Sequence, residues 1–256
     1  MYTESQLLEQ LKALGIQEDD TLIVHTSLRA VGALDTSSKT GAEVLISALR
    51  RAVPEGLLLI PAFTFANIRE VPVFDIANTQ PCIGAVPCAA VKLANEAREK
   101  GDNTCVRSFH VSHSVVAFGD EAWEYIQADR QSNTPTPWSG SIGKLYERDA
   151  KILLVGLDMV KTTFIHAVDE YLEPTGLSEP YPITAIDYDG TQTLRMACNT
   201  QGPSMKYGVY EPCLQKAGAI SYGKLGDAET RLVSARKCFD TVVKYRETVF
   251  KPAAKK

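Results

Sequence analysis

Basic residues, histidines and long apolar runs are all in short supply in this chain. Asp and Glu outnumber Lys and Arg by 31 to 27, whereas a general nucleic-acid binder would usually be basic. No stretch approaches the ~20 apolar residues that a membrane helix needs. The N-terminal segment Met1–Gln6 lacks the basic region and apolar core of a signal peptide. We therefore expect a cytoplasmic protein with neither nucleic acid nor a membrane as its partner.

The cysteines show no pattern of pairing or metal ligation. All six are scattered, without a Cys-x-x-Cys motif or a Cys/His spacing typical of zinc sites. In a chain of this size without a signal peptide, free thiols are favoured over disulfides. His110 and His113 stand three residues apart, but no cysteine or second pair of ligands is near them. We therefore predict no metal site.

Strands and helices alternate through most of the chain. Hydrophobic spacing predicts strands at Thr21–His25, Leu57–Ile60, Ser114–Phe118 and Lys151–Val155, and helices at Gln6–Leu14, Gly41–Val53, Val86–Lys100, Glu121–Asp129 and Asp227–Phe250. Asp189 and Gly190 lie at the centre of a predicted hairpin. The alternation favours an α/β domain with helices on both sides of a sheet. The length, without a repeat or an obvious linker, favours a single domain over residues 1–256.

His166 is the most informative histidine, because two carboxylates accompany it on a predicted helix. The helix follows a predicted strand, and Thr162 or Thr163 is available as its cap. His166, Asp169 and Glu170 stand at positions i, i+3 and i+4, so they share one side of the helix. A histidine beside a carboxylate suits a general base. A surface helix with solvated acids is the alternative, and the spacing alone leaves both open.

Three further stretches combine hydroxyl, basic or glycine residues in ways that suit an anionic ligand. Val24–Gly32 follows a strand and contains a serine and an arginine. Arg107–Ser114 also contains an arginine and serines, which suit phosphate oxygens. Gly140–Leu145 resembles a phosphate loop only faintly, and it is not the Gly-x-Ser-x-Gly elbow of hydrolases. Each stretch is also compatible with an ordinary loop.

These stretches take their place in an ordered set of blocks. The blocks are Val24-His-Thr-Ser-Leu28 with Gly32, Leu58-Leu-Ile-Pro-Ala-Phe-Thr64, Phe74-Asp75 with Thr79 and Gly84, Arg107-Ser-Phe-His110 with Ser114, Thr163-Phe-Ile-His166 with Asp169, and Gly226-Asp-Ala228 with Arg231-Leu232. In this order and spacing, the chain resembles the aminoglycoside 3-N-acetyltransferase family over nearly its whole length. It departs from the family pattern at Val111, where proline is usual, at Gly140-Ser141, where Ser-Pro is usual, and at Asp169, where glutamate is usual.

The resemblance implies a fold, a reaction and a coenzyme channel. The implied fold is a three-layer α/β/α sandwich around a central sheet, distinct from the common N-acetyltransferase superfamily. The implied reaction moves an acetyl group from acetyl-CoA to the 3-amino group of an aminoglycoside, which is an antibiotic-resistance activity, and it needs no metal. The residues implied to line the coenzyme channel are Ser27, Leu28, Val31, Gly32, Arg107, Ser108 and Phe109.

On the acceptor side, we expect the chemistry to lie on the His166 helix. His166 would take a proton from the amine within a ternary complex, with Asp169 or Glu170 orienting its ring. Thr163 or a backbone amide would donate to the carbonyl oxygen of the thioester. Opposing effects of the helix N-terminus and the carboxylates would leave the pKa of His166 near neutral. Asp75 and Glu170 would hold a polycationic small-molecule acceptor.

Three rival interpretations accompany this one. The first is an N-acetyltransferase of the same fold that acts on a non-aminoglycoside amine, since a scaffold does not identify its acceptor. The second is a serine hydrolase that uses His166, and the missing elbow argues against it. The third is a non-catalytic coenzyme-binding protein, and the presence of His166 with its acids argues against it. The sequence leaves a homodimer open.

Overall fold

A computed structural model describes residues 1–173, 176–199 and 204–249, and its strands form two sheets. The strands are β1 (Thr21–Thr26), β2 (Leu57–Pro61), β3 (Val73–Asp75), β4 (Cys105–Arg107), β5 (Val115–Phe118), β6 (Lys151–Val155), β7 (Tyr181–Ile186), β8 (Gln192–Ala197), β9 (Ile220–Leu225) and β10 (Ala228–Ser234). The large sheet has the order β4-β5-β2-β1-β6-β10-β9, and the small sheet has the order β3-β7-β8. Strands β2, β1 and β6 are parallel, so their carboxyl ends meet at one edge.

Helices cover both faces of the large sheet. They are α1 (Glu4–Ala13), α2 (Leu28–Val31), α3 (Gly41–Ala52), α4 (Asn67–Glu70), α5 (Ala85–Glu99), α6 (Ala122–Ile126), α7 (Thr163–Leu172), α8 (Glu211–Lys216) and α9 (Ala235–Val249). Leu22 and Val24 of β1 pack with α1, α3 and α5, whereas Ile23 packs with α6, α7 and α9, because alternate residues of a strand face opposite sides. The predicted three-layer α/β architecture is confirmed.

Capping residues set where the helices on the first face begin. Thr3 and Gln6 form a capping box at the start of α1, and Thr40 and Glu43 form another at the start of α3. Each box satisfies two backbone N–H groups that would otherwise lack a partner at a helix start. Both helices were expected from hydrophobic spacing, and both are confirmed.

The predicted helix over Asp227–Phe250 is wrong in its first part. Residues Ala228–Ser234 form β10, which pairs antiparallel with both β6 and β9. Gly226 has a φ of 59°, and this left-handed conformation permits the tight turn between β9 and β10. Helix α9 begins only at Ala235. Two free strand edges override the helical spacing here, and Phe250 lies outside the described residues.

The predicted hairpin around Gly190 is confirmed and belongs to the small sheet. Strands β7 and β8 are antiparallel, with Ile186 opposite Gln192, and Gly190 has a φ of 83°. Phe74 of β3 packs beneath this sheet with Phe109 in a separate apolar cluster. The small sheet therefore covers the segment between β4 and β5.

Two other sequence predictions concern the membrane and the thiols. No helix in the described part of the chain has the length and apolarity to cross a membrane. All six cysteines are free thiols, and three of them are buried.

Candidate active site

A cavity of about 440 Å³ lies at the carboxyl edge of the parallel strands. Its walls come from the ends of β1 and β2, from the segment between β6 and α7, and from α7 itself. The lining includes Val24, His25, Phe63, Phe65, Cys82, Pro87, His113, Leu157, Val160, Lys161, Thr163, His166 and Ser204. Ligands of open α/β sheets usually bind at this edge. Three of the four histidines of the chain therefore meet where a ligand is expected.

His166 begins a chain of hydrogen bonds that leads away from the cavity. Its Nδ1 lies 2.6 Å from the Tyr207 hydroxyl oxygen, which lies 2.7 Å from Oδ2 of Asp169. Arg246 forms an ion pair with the other carboxylate oxygen of Asp169. Since the carboxylate can only accept, the Tyr207 hydroxyl donates to Asp169 and its oxygen accepts the Nδ1 proton of His166. This arrangement leaves the second ring nitrogen of His166, Nε2, unprotonated.

Glu170 points to a different part of the molecule. Its carboxylate accepts hydrogen bonds from the Thr134 hydroxyl and from the Thr136 backbone N–H, the latter at 2.9 Å. One residue further along a helix is a rotation of about 100°, which carries this side chain away from His166. The expectation that Glu170 could orient His166 is therefore wrong. Asp169 is the connected acid, and it acts through Tyr207.

Burial determines the charge of His166. It lowers the pKa of His166 to about 4, so the expectation of a near-neutral pKa is also wrong. The carboxylate does not offset this effect, because the Tyr207 hydroxyl stands between Asp169 and the ring. Burial raises the pKa of Asp169, although the hydrogen bond from Tyr207 and the charge of Arg246 act in the opposite direction. His166 is thus neutral at physiological pH and free to accept a proton.

The other two cavity histidines are also neutral. Burial lowers the pKa of His25 to about 4, and it lowers the pKa of His113 as well. The His113 ring packs on Phe63 and Phe65, with ring centroids 4.7 and 5.6 Å away. Nε2 of His25 is buried without a hydrogen-bond partner in the described part of the chain. Among those residues, no group of three or more His, Cys, Asp or Glu side chains could hold a metal ion.

Thr163 lies at the cavity, as expected from the sequence. It is the first residue of α7, it is buried, and it lines the cavity together with His166. The first N–H groups of a helix have no acceptor within that helix. The hydroxyl and the backbone N–H of Thr163 are therefore two donors suited to an oxygen atom held in the cavity.

A second groove, of about 600 Å³, adjoins the cavity and shares Thr26 with it. Of the residues expected in the coenzyme channel, Ser27, Leu28 and Gly32 line this groove. Val31 does not, because its side chain is fully buried in the core beneath. That part of the prediction is wrong for a simple reason: alternate sides of the short helix α2 face the groove and the core.

Arg107, Ser108 and Phe109 lie away from this groove. The guanidinium of Arg107 is only 2% exposed and donates to the Ile76 carbonyl at 2.8 Å and to the Ser114 hydroxyl at 3.3 Å. Ser108 is fully buried. Arg107 and Phe109 line a separate small cavity of about 60 Å³. The expectation that all three share one channel with Ser27 is therefore wrong, since their side chains are committed to packing between the sheets.

Asp75 closes a turn instead of facing the cavity. Its carboxylate accepts hydrogen bonds from the backbone N–H groups of Ala77 and Asn78, at 2.9 and 3.0 Å. The side-chain amide of Asn78 donates to the second oxygen at 2.8 Å. Such a side chain satisfies the backbone of its own turn. Neither Asp75 nor Glu170 is among the residues that line the cavity, so the expected anionic lining is not formed by these two acids.

Tyr207 and Arg246 were missed by the sequence analysis. Tyr207 lies in a 3₁₀ helix over Ser204–Tyr210, and Arg246 lies near the end of α9. They are 41 and 77 residues away from their partners His166 and Asp169. No local spacing signals such contacts.

Comparison with known proteins places this geometry in a family. A family model described as aminoglycoside 3-N-acetyltransferase matches residues 23–247. Aminoglycoside N(3)-acetyltransferase IV of Salmonella sp is 25% identical over 245 residues, which is 94% of this chain and 86% of that protein. Aminoglycoside N(3)-acetyltransferase VII of Streptomyces paromomycinus is 24% identical over 275 residues, covering 96% of this chain and 91% of that protein.

Solved structures share the fold. A complex named AAC-IIIb binary with CoASH superposes with a TM-score of 0.78 at 22% identity, covering 96% of this chain and 97% of that one. A mutant of aminoglycoside acetyltransferase AAC(3)-IVa in complex with gentamicin has a TM-score of 0.79 at 22% identity, covering 97% and 89%. With a family model that spans most of its length, the chain belongs to the aminoglycoside 3-N-acetyltransferase family and is therefore an acetyltransferase.

Proposed function

We propose that this protein transfers the acetyl group of acetyl-CoA to an amine, with His166 as the general base. The observation that carries the proposal is the hydrogen-bond chain from Asp169 through Tyr207 to His166 at the cavity wall. It leaves Nε2 unprotonated, and an ammonium group must lose a proton before its nitrogen can attack a thioester. Asp169 and Tyr207 then stabilise the imidazolium that forms.

The transfer is a direct one in a ternary complex. The amine nitrogen attacks the carbonyl carbon of the thioester while Nε2 of His166 takes the proton from the nitrogen. Thr163 donates to the carbonyl oxygen as negative charge develops on it, and one such donor typically contributes about 3–4 kcal/mol. The carbon–sulfur bond then breaks, and the proton on His166 passes to the departing thiolate.

The groove beside the cavity suits the donor. Ser27, Leu28 and Gly32 line it, and Thr26 connects it to the cavity that contains His166. A pantetheine arm lying in the groove would bring its thioester to Thr163 and His166. The relative of the same fold that was solved with CoASH supports this choice of donor.

The acceptor has two candidates. Aminoglycosides are favoured by the names of the curated relatives and by the neighbour in complex with gentamicin. An amine of another class is favoured by the cavity, since its described lining contains one lysine, Lys161, and no aspartate or glutamate.

The decisive test is thiol release from acetyl-CoA by the His166→Ala variant across a panel of amines. We expect turnover to fall by about 10²–10⁴, the range of general base catalysis, while affinity for coenzyme A stays unchanged. Cys82→Ala is the matched control, because Cys82 also lines the cavity and direct transfer does not need its thiol. Near-normal turnover by His166→Ala would remove His166 from its role, and an inactive Cys82→Ala enzyme would indicate an acyl-enzyme instead.

A further inference from the structure

We propose that the acceptor carries a single ammonium group on an apolar or anionic body and is not a polycation. This inference rests on the acetyl transfer proposed above and specifies its acceptor class. It follows from the charges that face the cavity, from the way the nearby acids are used, and from the rings that form the cavity wall.

The cavity has no carboxylate with which to bind several ammonium groups. Among the described residues that line it, Lys161 is the one with a formal charge. The residues outside the described ranges add no acid, because positions 174–175, 200–203 and 250–256 contain neither aspartate nor glutamate. A polycation in this cavity would therefore lose water without gaining ion pairs.

The acids closest to the cavity in the fold are already engaged. Asp169 is paired with Arg246 and accepts from Tyr207. Asp158, which lies between β6 and the lining residue Val160, accepts the backbone N–H of Val160 at 3.1 Å and caps a short 3₁₀ helix. The carboxylate of Glu170 is held at the loop that contains Thr136.

The remaining lining favours an acceptor with an apolar or negative body. Phe63 and Phe65 flank the neutral ring of His113, and such rings pack well against apolar groups. Lys161 is exposed, and no ion pair engages it within the described ranges. A cation of this kind repels a polycation and attracts a carboxylate or phosphate, so it biases selection in both directions.

The test compares acceptors that differ in charge. Thiol release is measured with gentamicin and sisomicin as polycations, phenethylamine as an apolar monoamine, and phosphoethanolamine as a monoamine with an anionic group. We expect kcat/KM for the better monoamine to exceed that for either aminoglycoside by at least about tenfold, a modest difference for charge-based discrimination. An aminoglycoside as the best acceptor would overturn the inference.

Two variants separate a charge effect from a shape effect. Lys161→Glu should raise kcat/KM for gentamicin and lower it for phosphoethanolamine, whereas Lys161→Gln should move both by less. An unchanged ratio in Lys161→Glu would contradict the inference. Calorimetric titration of the same amines into the protein saturated with coenzyme A reports acceptor choice without turnover. If no amine releases thiol yet the monoamines bind more tightly, the proposed function fails while the acceptor class holds, and tighter binding of the aminoglycosides overturns the class.

Discussion

Tyr207 provides the contact on which the proposed chemistry most depends at the scale of single residues. Its hydroxyl lies between Nδ1 of His166 and Asp169, at 2.6 and 2.7 Å. It thereby fixes the tautomer of His166 and carries the influence of the carboxylate to the ring. A direct contact between histidine and carboxylate, as the spacing on α7 suggested, is replaced by a bridged one.

Tyr207→Phe should lower kcat about 10- to 100-fold with little change in coenzyme affinity. The physical reason is that a hydrogen bond to a charged group contributes about 1.5–3 kcal/mol, and the His166 ring becomes charged only during the reaction. The matched control is Tyr125→Phe, which removes a buried hydroxyl that donates to the Ser141 carbonyl at 2.7 Å and lies outside the cavity lining. Steady-state kinetics of both variants measures the difference.

The double variant of Tyr207→Phe with Asp169→Asn tests whether the two residues act as one unit. Residues within one hydrogen-bond network show non-additive effects, so we expect the double variant to be little slower than the more impaired single variant. Fully additive losses would contradict the bridged arrangement. Equal losses in Tyr207→Phe and Tyr125→Phe would indicate a general structural effect.

At the scale of elements, the turn after α2 shapes the proposed coenzyme groove. Gly32 has a φ of 87°, and a Cβ atom at this position would lie 2.2 Å from Oδ2 of Asp227. Asp227 also accepts a hydrogen bond from the Tyr2 hydroxyl at 2.7 Å. A side chain at position 32 would therefore disturb both the groove wall and its link to the N-terminal residues.

Gly32→Ala should weaken coenzyme A binding and lower the free energy of unfolding. A left-handed conformation costs a non-glycine residue about 1–2 kcal/mol, and the contact with Asp227 adds to this. Gly190→Ala is the matched control, because Gly190 has a similar φ of 83° with no atom within 4 Å of the added Cβ. Coenzyme titration and urea unfolding of both variants measure the effect. Equal coenzyme affinity in the two variants would show that position 32 does not shape the donor site.

Arg107 joins the small sheet to the large one. It donates to the carbonyl of Ile76, directly after β3, and to the hydroxyl of Ser114, directly before β5. We expect Arg107→Ala to lower the free energy of unfolding by at least about 2 kcal/mol, since truncation leaves buried acceptors without a donor. The exposed Arg98 provides the control, because an Arg98→Ala change at the surface should stay within about 0.5 kcal/mol.

The same variants decide between the two roles considered for Arg107. Urea unfolding reports its stability role, and coenzyme titration reports a binding role. Unchanged stability together with weaker coenzyme A binding in Arg107→Ala would support the sequence-based expectation over the structural one.

For the whole molecule, the buried histidines make stability depend on pH. Burial lowers the pKa of both His25 and His166 to about 4, against about 6.5 in an unfolded chain. Between these values the unfolded chain binds more protons than the folded one. The free energy of unfolding therefore falls as the pH drops from about 6.5 to about 4.

Lowering the pH from 7 to 5 should reduce the free energy of unfolding, with about 2 kcal/mol contributed by His25 alone. Urea unfolding at the two pH values measures the change. His25→Gln should show a smaller loss, because glutamine does not titrate. Equal losses in the two proteins, or a protein more stable at pH 5, would contradict the neutral, buried state of His25.

The layered fold could be predicted because hydrophobic spacing is a local property. Capping at Thr3 and Thr40, the alternation along β1 and the turn at Gly190 are each encoded within a few residues. The exception is Asp227–Phe250, where a segment with helical spacing forms β10 because strand β6 offers it an edge. Partners that are distant in sequence decide such cases.

By itself the sequence determined the layered α/β class, the ordered family blocks and the placement of Thr163, His166 and Asp169 on one helix, since all of these depend on short-range spacing. Only the tertiary structure decided which side chains face the cavity. It brought Tyr207 and Arg246 to Asp169 across 38 and 77 residues, and it directed the expected acids into turns and loops. Hydrogen bonding and burial depend on three-dimensional neighbours, and these are what set the tautomer of His166, its lowered pKa and the charge of the cavity.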